Sequence, residues 1–356
     1  GGASGRPEER YDRAITEPVP VFRAAHLLLY LSALREIGVP WVGELHRARL
    51  PTMLIERPDA YLPLLRSLKF LAACERRVED LAVLGARRLG MQQMSAPVAA
   101  AIAGAQTLSA ALRSLKHVVG LEATRVAAWM ELGPTVMLRA RTSVPREAAG
   151  RHFAEWHMNL ALVKLVRIYA GPEWRPREMA FESEVRVTRL VREEFPNTRF
   201  SMSQRSCGIA LPCPMLALPG SDRHRVRAVR EVDAGVAPAR DFVDSLRVLL
   251  KTYLAEGSPT IKLVADLADT SVRTLQRRLA RAGVSYSDLL DDVRLEAASR
   301  LLTDGANDVI DIAYELGYGE ASSFSRAFRR LAGLSPRQYR RARSWPVPAA
   351  NESSAA

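Results

Sequence analysis

The chain has 356 residues, 48% of them hydrophobic, and this supports packed cores, excludes wholesale disorder and suggests two or three domains. Lys and Arg outnumber Asp and Glu by 51 to 39, for a formal net charge of +12. That balance favours anionic partners, nucleic acid first, although the arginines are spread along the chain rather than gathered in one segment.

Residues 1–17 are polar and are expected to form a disordered tail. Apolar residues at helical spacing predict a helix over Val21–Ile37, stopped by Gly38-Val39-Pro40. Asp59 is a candidate N-cap for a helix running through Leu68, with Pro63 in its first turn. Further helices are expected over Val78–Arg88, Ala96–Ala103 and Leu108–Val119, the last starting near Thr107. The period then changes. Val136, Leu138 and Ala140 alternate, and Gly133-Pro134 separates Thr124–Leu132 from Thr135–Thr142, which predicts a hairpin. Pro145–Tyr169 returns to helix; Glu178–Ser183 and Arg199–Leu211 are strand candidates around a short helix at Arg186–Glu194. Residues 18–220 therefore read as an α+β domain, helices with a small antiparallel sheet. Residues 221–240 are charged and broken by glycine and proline, and read as a linker with a short helix near Arg223–Val232. Residues 241–343 hold no strand pattern and read as an all-α domain; residues 344–356 are a flexible small-residue tail.

Within the all-α domain two segments share one design. Ile261–Gly283 and Val309–Arg341 each carry a small apolar helix, a tight turn and a second helix rich in Ser and Arg, and a linking helix from about Tyr286 to Leu302 joins them. Thr260 and Ser271 can cap the first pair of helices, and Ser285 with Asp288 can form a capping box. Leu275 and Leu279 anchor the second helix, leaving Arg273, Gln276 and Arg277 on one opposite stripe. Arg pairs with guanine and Gln with adenine, so this stripe can read base edges, while Arg278 and Arg281 suit phosphates. In the second segment Phe324 and Phe328 are the anchors; Ala321, Ser322, Ser325 and Arg326 are expected to face out, with Arg329, Arg330, Arg337, Arg340 and Arg341 towards the backbone. The linking helix is expected to bury Leu289, Val293, Ala297 and Leu301.

These residues resemble the AraC/XylS family of bacterial transcription regulators over roughly Phe242–Arg341. The resemblance rests on Ser271-Val-Arg-Thr-Leu-Gln-Arg-Arg-Leu279, on Val293-Arg294 with Ala298–Leu302, on Ile312-Ala313 to Gly317-Tyr318, and on Ser323-Phe-Ser-Arg-Ala-Phe-Arg-Arg330 with Gly333, Pro336, Tyr339 and Arg340. It implies base-reading roles for Arg273, Gln276 and Arg277 in one unit and for Ala321, Ser322, Ser325 and Arg326 in the other. Asp269 departs from the family pattern, which has a turn glycine there; Asp accepts a left-handed backbone better than most residues. The N-terminal region is similar to the arabinose-binding-like ligand domain that accompanies this module, through Gly38-Val-Pro40, Arg49-Leu-Pro51, Glu56-Arg-Pro58 and the string Phe195–Pro219. That resemblance implies a small-molecule effector without establishing arabinose as that effector, homodimerisation through residues 18–220, RNA polymerase as a partner and activation as the output.

Candidate effector contacts are Trp129, Trp156, His157 and Phe181, each weighed against ordinary core packing. No cofactor or metal site is expected: His152 and His157 fall off a common helical face, and Cys74, Cys207 and Cys213 form no CxxC pair and read as reduced, buried thiols. No apolar run approaches a membrane span, and a cytoplasmic, non-enzymatic, sequence-specific DNA reader is the expectation. The alternatives are a ligand-independent DNA binder whose N-terminal domain only dimerises, and a DNA-repair alkyltransferase using a cysteine acceptor, against which Cys213 has no adjacent histidine.

Overall fold

The structure is a computed structural model, and it describes residues 17–220, 239, 241–254, 256–257, 259–304 and 307–344. The tails, most of the linker and its expected short helix lie outside the described residues. The chain divides into two compact units, Gly1–Leu249 with Leu267–Asp269, and Leu250–Asp266 with Thr270–Ala356.

The first unit opens with a duplicated strand–helix–helix order. Strand β1 (Val21–Arg23), helices α1 (Ala24–Glu36) and α2 (Val42–Arg47) and a 3-10 turn at Thr52–Ile55 are followed by β2 (Tyr61–Pro63), α3 (Leu64–Glu75), α4 (Leu81–Ala86) and a second 3-10 turn at Met91–Gln93. Two sequence expectations are corrected here. The helix expected from Val21 starts at Ala24, because Val21-Phe22-Arg23 is a buried strand paired antiparallel with β2, Phe22 opposite Leu62. The helix expected from Asp59 starts at Leu64. Pro63 occupies its N-cap in extended backbone, and its carbonyl accepts from Ser67 Oγ at 3.1 Å. Asp59 instead pairs with the Arg23 guanidinium.

Helices α5 (Ala96–Ala103) and α6 (Leu108–Val118) come next, and Thr107 caps α6 as its type and position suggest, its side chain accepting from Ala110 N–H at 3.2 Å. The hairpin forms: β3 (Val126–Glu131) runs antiparallel to β4 (Val136–Thr142), and the alternate residues Val136, Leu138, Ala140 and Thr142 are buried. With β5 (Glu178–Ala180), β6 (Arg199–Ser201) and β7 (Cys207–Leu211) they make a five-stranded sheet in the order β3-β4-β7-β5-β6. The sheet is mixed rather than wholly antiparallel, since β5 and β6 run parallel. The segment between them carries helix α8 (Arg189–Glu194), which gives the chain the length to return to the same end of the sheet.

Helix α7 (Arg151–Ala170) packs on β4 and β7. Its polar residues Arg151, Glu155 and Asn159 are buried at four-residue spacing, and Glu155 and the Asn159 amide nitrogen find partners at the end of β5, while Asn159 Oδ1 has no hydrogen-bond partner among the described residues. Glu155 accepts from Arg151 Nε at 2.7 Å, Ser183 Oγ at 2.5 Å and the N–H groups of Glu182 and Ser183 at 3.1 Å; Asn159 Nδ2 donates to Ala180 O at 2.9 Å. A buried carboxylate left without these donors would cost several kcal/mol, so this network fixes α7 against the end of β5.

Helix α9 (Phe242–Leu254) begins in the first unit, where Ser245 Oγ accepts from Val19 N–H at 2.8 Å, and ends in the second. The rest of the second unit is helical: α10 (Ile261–Leu267), α11 (Val272–Arg281), α12 (Tyr286–Asp304), α13 (Val309–Glu315), α14 (Ala321–Ala332) and α15 (Pro336–Ser344). Side-chain oxygens set the starts. Thr260 accepts from Leu263 N–H at 3.2 Å, Ser271 from Thr274 N–H at 3.2 Å, and Ser285 and Asp288 exchange bonds at 3.1 and 3.4 Å. The turn before α11 passes through Asp269 at φ +51°, the left-handed conformation its residue type tolerates, and the turn before α14 through Gly317 at φ +76°.

Candidate nucleic-acid interface and ligand cavity

Helix α11 is polarised by its sequence. Leu275 and Leu279 are buried, and Arg273, Gln276 and Arg277 lie exposed at the opposite i, i+3, i+4 positions. Arg281 is exposed and Arg278 half-buried, and Arg277, Arg278 and Arg281 all have interactions within the protein.

Helix α14 has the same polarity with less polar equipment. Phe324 and Phe328 are buried in a row of rings that runs Tyr318, Phe324, Phe328, Tyr339, with centroids 5.5, 5.7 and 5.3 Å apart. Ser322 and Arg326 are exposed and Ser325 is half-buried, whereas Ala321 is half-buried and packs against the core. Ser322 Oγ donates to Glu320 Oε2 at 3.0 Å, and Arg326 Nη2 to Ser323 Oγ at 3.3 Å. Arg329 and Arg337 are exposed. Two arginines expected at phosphates also have partners within the protein. Arg330 forms a 2.6 Å ion pair with Asp291 of α12. Arg340 is half-buried and donates to Asn307 O at 2.5 Å, securing the entry to α13.

The buried stripe of α12 differs from the expected one. Leu289 and Val293 are buried as expected, but the stripe continues through Ala298 and Leu302, with Ala297 and Leu301 half-buried. A strict four-residue spacing drifts around the helix by about 40° per step, whereas the five-residue step from Val293 to Ala298 turns it by about 140°, so the stripe leaves the side of Leu289 and Val293, and Ala298 and Leu302 face the core they share with Ile312, Phe324 and Phe328. Arg294, on this helix, places its guanidinium 5.0 Å from the Tyr318 ring centroid.

The first unit contains a cavity of about 160 Å³. Its wall is almost wholly apolar, drawn from α1, α3, α5, α7 and the inward positions Val126, Ala128, Ala140 and Thr142 of the hairpin. Of the four expected effector contacts only His157 lines it. Trp156 and Phe181 are buried against each other, ring centroids 4.7 Å apart, as core residues. Trp129 sits at an odd register position on β3, opposite Arg139, and its Nε1 donates to Glu131 Oε1 at 3.1 Å on the face away from the cavity. His157 is joined there by residues that the sequence reading did not single out for a site: His26, Tyr30 and Glu122. The signal for two of them was a His–Tyr pair at i, i+4 on an otherwise apolar helix, His26 and Tyr30.

These side chains form one chain of hydrogen bonds. Glu122 Oε2 lies 2.7 Å from His26 Nε2, His26 Nδ1 lies 3.1 Å from His157 Nε2, and His157 Nδ1 lies 3.3 Å from the Tyr30 hydroxyl. Glu122 also accepts from Arg23 Nη1 at 3.0 Å and from Ser95 N–H and Oγ at 2.7 and 2.6 Å. Burial alone would raise the Glu122 carboxyl, but the hydrogen bond from His26, the charges of His26 and Arg23 and the Ser95 bond outweigh it and hold it at about 2. Burial, with His26 beside it, pushes His157 down to about 3 and keeps it neutral; burial pushes the Tyr30 hydroxyl up. Among the described residues no group of three His, Cys, Asp or Glu side chains could hold a metal ion, and no helix is long and apolar enough to cross a membrane. Cys74 and Cys207 are buried, but Cys213 is exposed, a correction to the expectation of three buried thiols.

Comparison with known proteins places this geometry. Residues 264–342 match the helix-turn-helix domain family. The chain is 26% identical over 330 residues to the HTH-type transcriptional regulator VirS of Mycobacterium tuberculosis, spanning 90% of this chain and 96% of VirS. It is 36% identical over 102 residues to the HTH-type transcriptional activator RhaS of an Enterobacter species, covering 28% of this chain and 36% of RhaS. Among solved structures, the transcriptional regulator CdpR of Pseudomonas aeruginosa aligns over 85% of this chain and 96% of its own at 19% identity, with a TM-score of 0.36. With its helix-turn-helix match spanning the exposed stripes of α11 and α14, the chain is a DNA-binding transcription regulator of the AraC type.

Proposed function

We propose that the protein reads an asymmetric promoter site through two helix-turn-helix units, α10–α11 and α13–α14, whose second helices enter successive major grooves on one face of the duplex. The observation that carries this reading is the exposed Arg273, Gln276 and Arg277 stripe opposite the buried Leu275 and Leu279. Arg273 and Arg277 would pair with guanine edges and Gln276 with adenine. In the second unit Arg326 is the main reader, with Ser322 and Ser325 as short-range contacts and Ala321 offering only its methyl group. Arg278, Arg281, Arg329 and Arg337 fit phosphate contacts; Arg330 and Arg340 already have partners in Asp291 and in Asn307 O. A small effector bound in the N-terminal unit would shift the balance between DNA-binding states, with RNA polymerase recruitment as the output and a homodimer as the assembly that occupies repeated sites.

Hydroxyl-radical footprinting on sites recovered by genome-wide mapping tests the reading. Two protected windows about 34 Å, one helical turn, apart on one face are expected for each bound chain. A single protected window, or equal affinity for mapped and random duplexes at physiological salt, overturns it.

A further inference from the structure

The cavity of the first unit combines two features of small-molecule sites. Its wall is apolar, yet one side presents a buried run of polar groups ending in a hydroxyl. A structural role explains the first part of that run. Arg23, Ser95 and His26 satisfy both oxygens of Glu122, and Arg23 ties this cluster to Asp59 and to Gln93 O. It does not explain His157 and Tyr30, which extend the run away from the charged cluster and along the cavity wall.

The sense of the run follows from its charged end. The Glu122 carboxylate only accepts, so His26 Nε2 donates to it. If His26 Nδ1 is bare, His157 Nε2 donates to it and the Tyr30 hydroxyl donates to His157 Nδ1, leaving tyrosine lone pairs unused. If His26 Nδ1 carries a proton, each bond reverses and the tyrosine proton is left over. Both senses converge on Tyr30, and a ligand hydroxyl can answer either one because it both donates and accepts. The apolar wall sets the rest of the ligand: an ionic group would be stripped of water with no opposite charge waiting, since Glu122 has its partners already. A dry cavity of about 150 Å³ takes a benzene-sized molecule, so about 160 Å³ calls for roughly one ring.

We infer that this cavity is the effector site and that it takes a neutral, one-ring or similarly compact apolar molecule carrying a hydroxyl group, which hydrogen-bonds to Tyr30 at the end of the Glu122–His26–His157 run. The inference rests on the proposed effector role of the N-terminal unit. It makes Tyr30 the specificity contact, and His157 and His26 positioning residues that hold the tyrosine hydroxyl.

Isothermal titration of the full-length protein with phenol, toluene and benzoate tests it. Phenol is expected to bind about tenfold more tightly than toluene, the worth of one hydrogen bond to a buried partner, and benzoate more weakly than either. Tyr30→Phe should bring phenol to the toluene level and leave toluene unchanged. Ala128→Leu, which fills the cavity from β3, should abolish both while the variant keeps its native near-UV dichroism. Phenol affinity indifferent to Tyr30→Phe, benzoate outcompeting phenol, or binding that survives in a folded Ala128→Leu variant overturns the assignment. Operator affinity measured on the same samples separates the two readings. Phenol that binds through Tyr30 without changing operator affinity removes the effector role and upholds the ligand class. An ionic metabolite that shifts operator affinity while phenol fails to bind removes the ligand class and upholds the effector role.

Discussion

Arg277 and Arg278 are neighbours in the chain with different surroundings: Arg277 is exposed on the stripe opposite Leu275, whereas Arg278 is half-buried on the flank. Arg277→Ala is therefore expected to cost about 1–3 kcal/mol on the specific site and to relax preference at one base pair. Arg278→Ala should weaken binding evenly across sequences; competitive binding to a library of single-base operator variants reads the difference. Gly85 illustrates the opposite kind of residue, one defined by what it lacks. A Cβ there would come within 2.1 Å of Tyr30 Cδ1, so Gly85→Ala must push the tyrosine ring and move its hydroxyl from His157. The expected result is a loss of about 1–3 kcal/mol in stability by urea titration, far above a surface change and comparable to overpacking elsewhere in cores. The sequence made the exposure of Arg277 readable because it is set by two buried leucines in the same helix. It hid Tyr30, whose role depends on Gly85, His157 and Glu122 from three other segments.

At the scale of elements, what the sequence showed clearly was local. The caps at Thr107, Ser271 and Ser285, the hairpin around Gly133-Pro134 and the left-handed turn at Asp269 each depend on residues a few positions apart. Ser271→Ala should accordingly cost about 1 kcal/mol, because it leaves the Thr274 N–H without its acceptor. Asp269→Val should cost about 1–2 kcal/mol, since a β-branched residue resists φ +51°, while Asp269→Gly is neutral. Thermal unfolding of the full chain measures both. The elements that escaped the sequence were those decided at a distance. Val21-Phe22-Arg23 continues a helical apolar pattern, and only its pairing with Tyr61-Leu62-Pro63 makes it a strand. The parallel pairing of β5 with β6, and the five-residue step in the stripe of α12, are likewise set by the partners each meets.

At the scale of the whole molecule, the buried histidine gives the protein an acid limit whose sign can be worked out. His157 stays neutral in the folded chain down to about pH 3, whereas an unfolded histidine takes up a proton near 6.5. Between those values the unfolded state binds more protons, so stability falls as pH falls, by at most about 1.4 kcal/mol per pH unit. Glu122, held at about 2 against about 4.3 when unfolded, adds loss in the same direction below pH 4.3. Urea titrations at pH 7.5, 6.0 and 5.0 should show this decline, and His157→Gln should flatten it across that range. The ion pair of Arg330 with Asp291 has a different consequence, for the ionic atmosphere of DNA. Each arginine that neutralises a phosphate releases condensed counterions and adds about 0.9 to the steepness of binding against salt. An arginine already neutralised by its own protein adds little to that release. With Arg330 so occupied and Arg340 turned to Asn307, the salt dependence will count fewer cations than the basic residues on α14 and α15, and Asp291→Asn should steepen it by returning one.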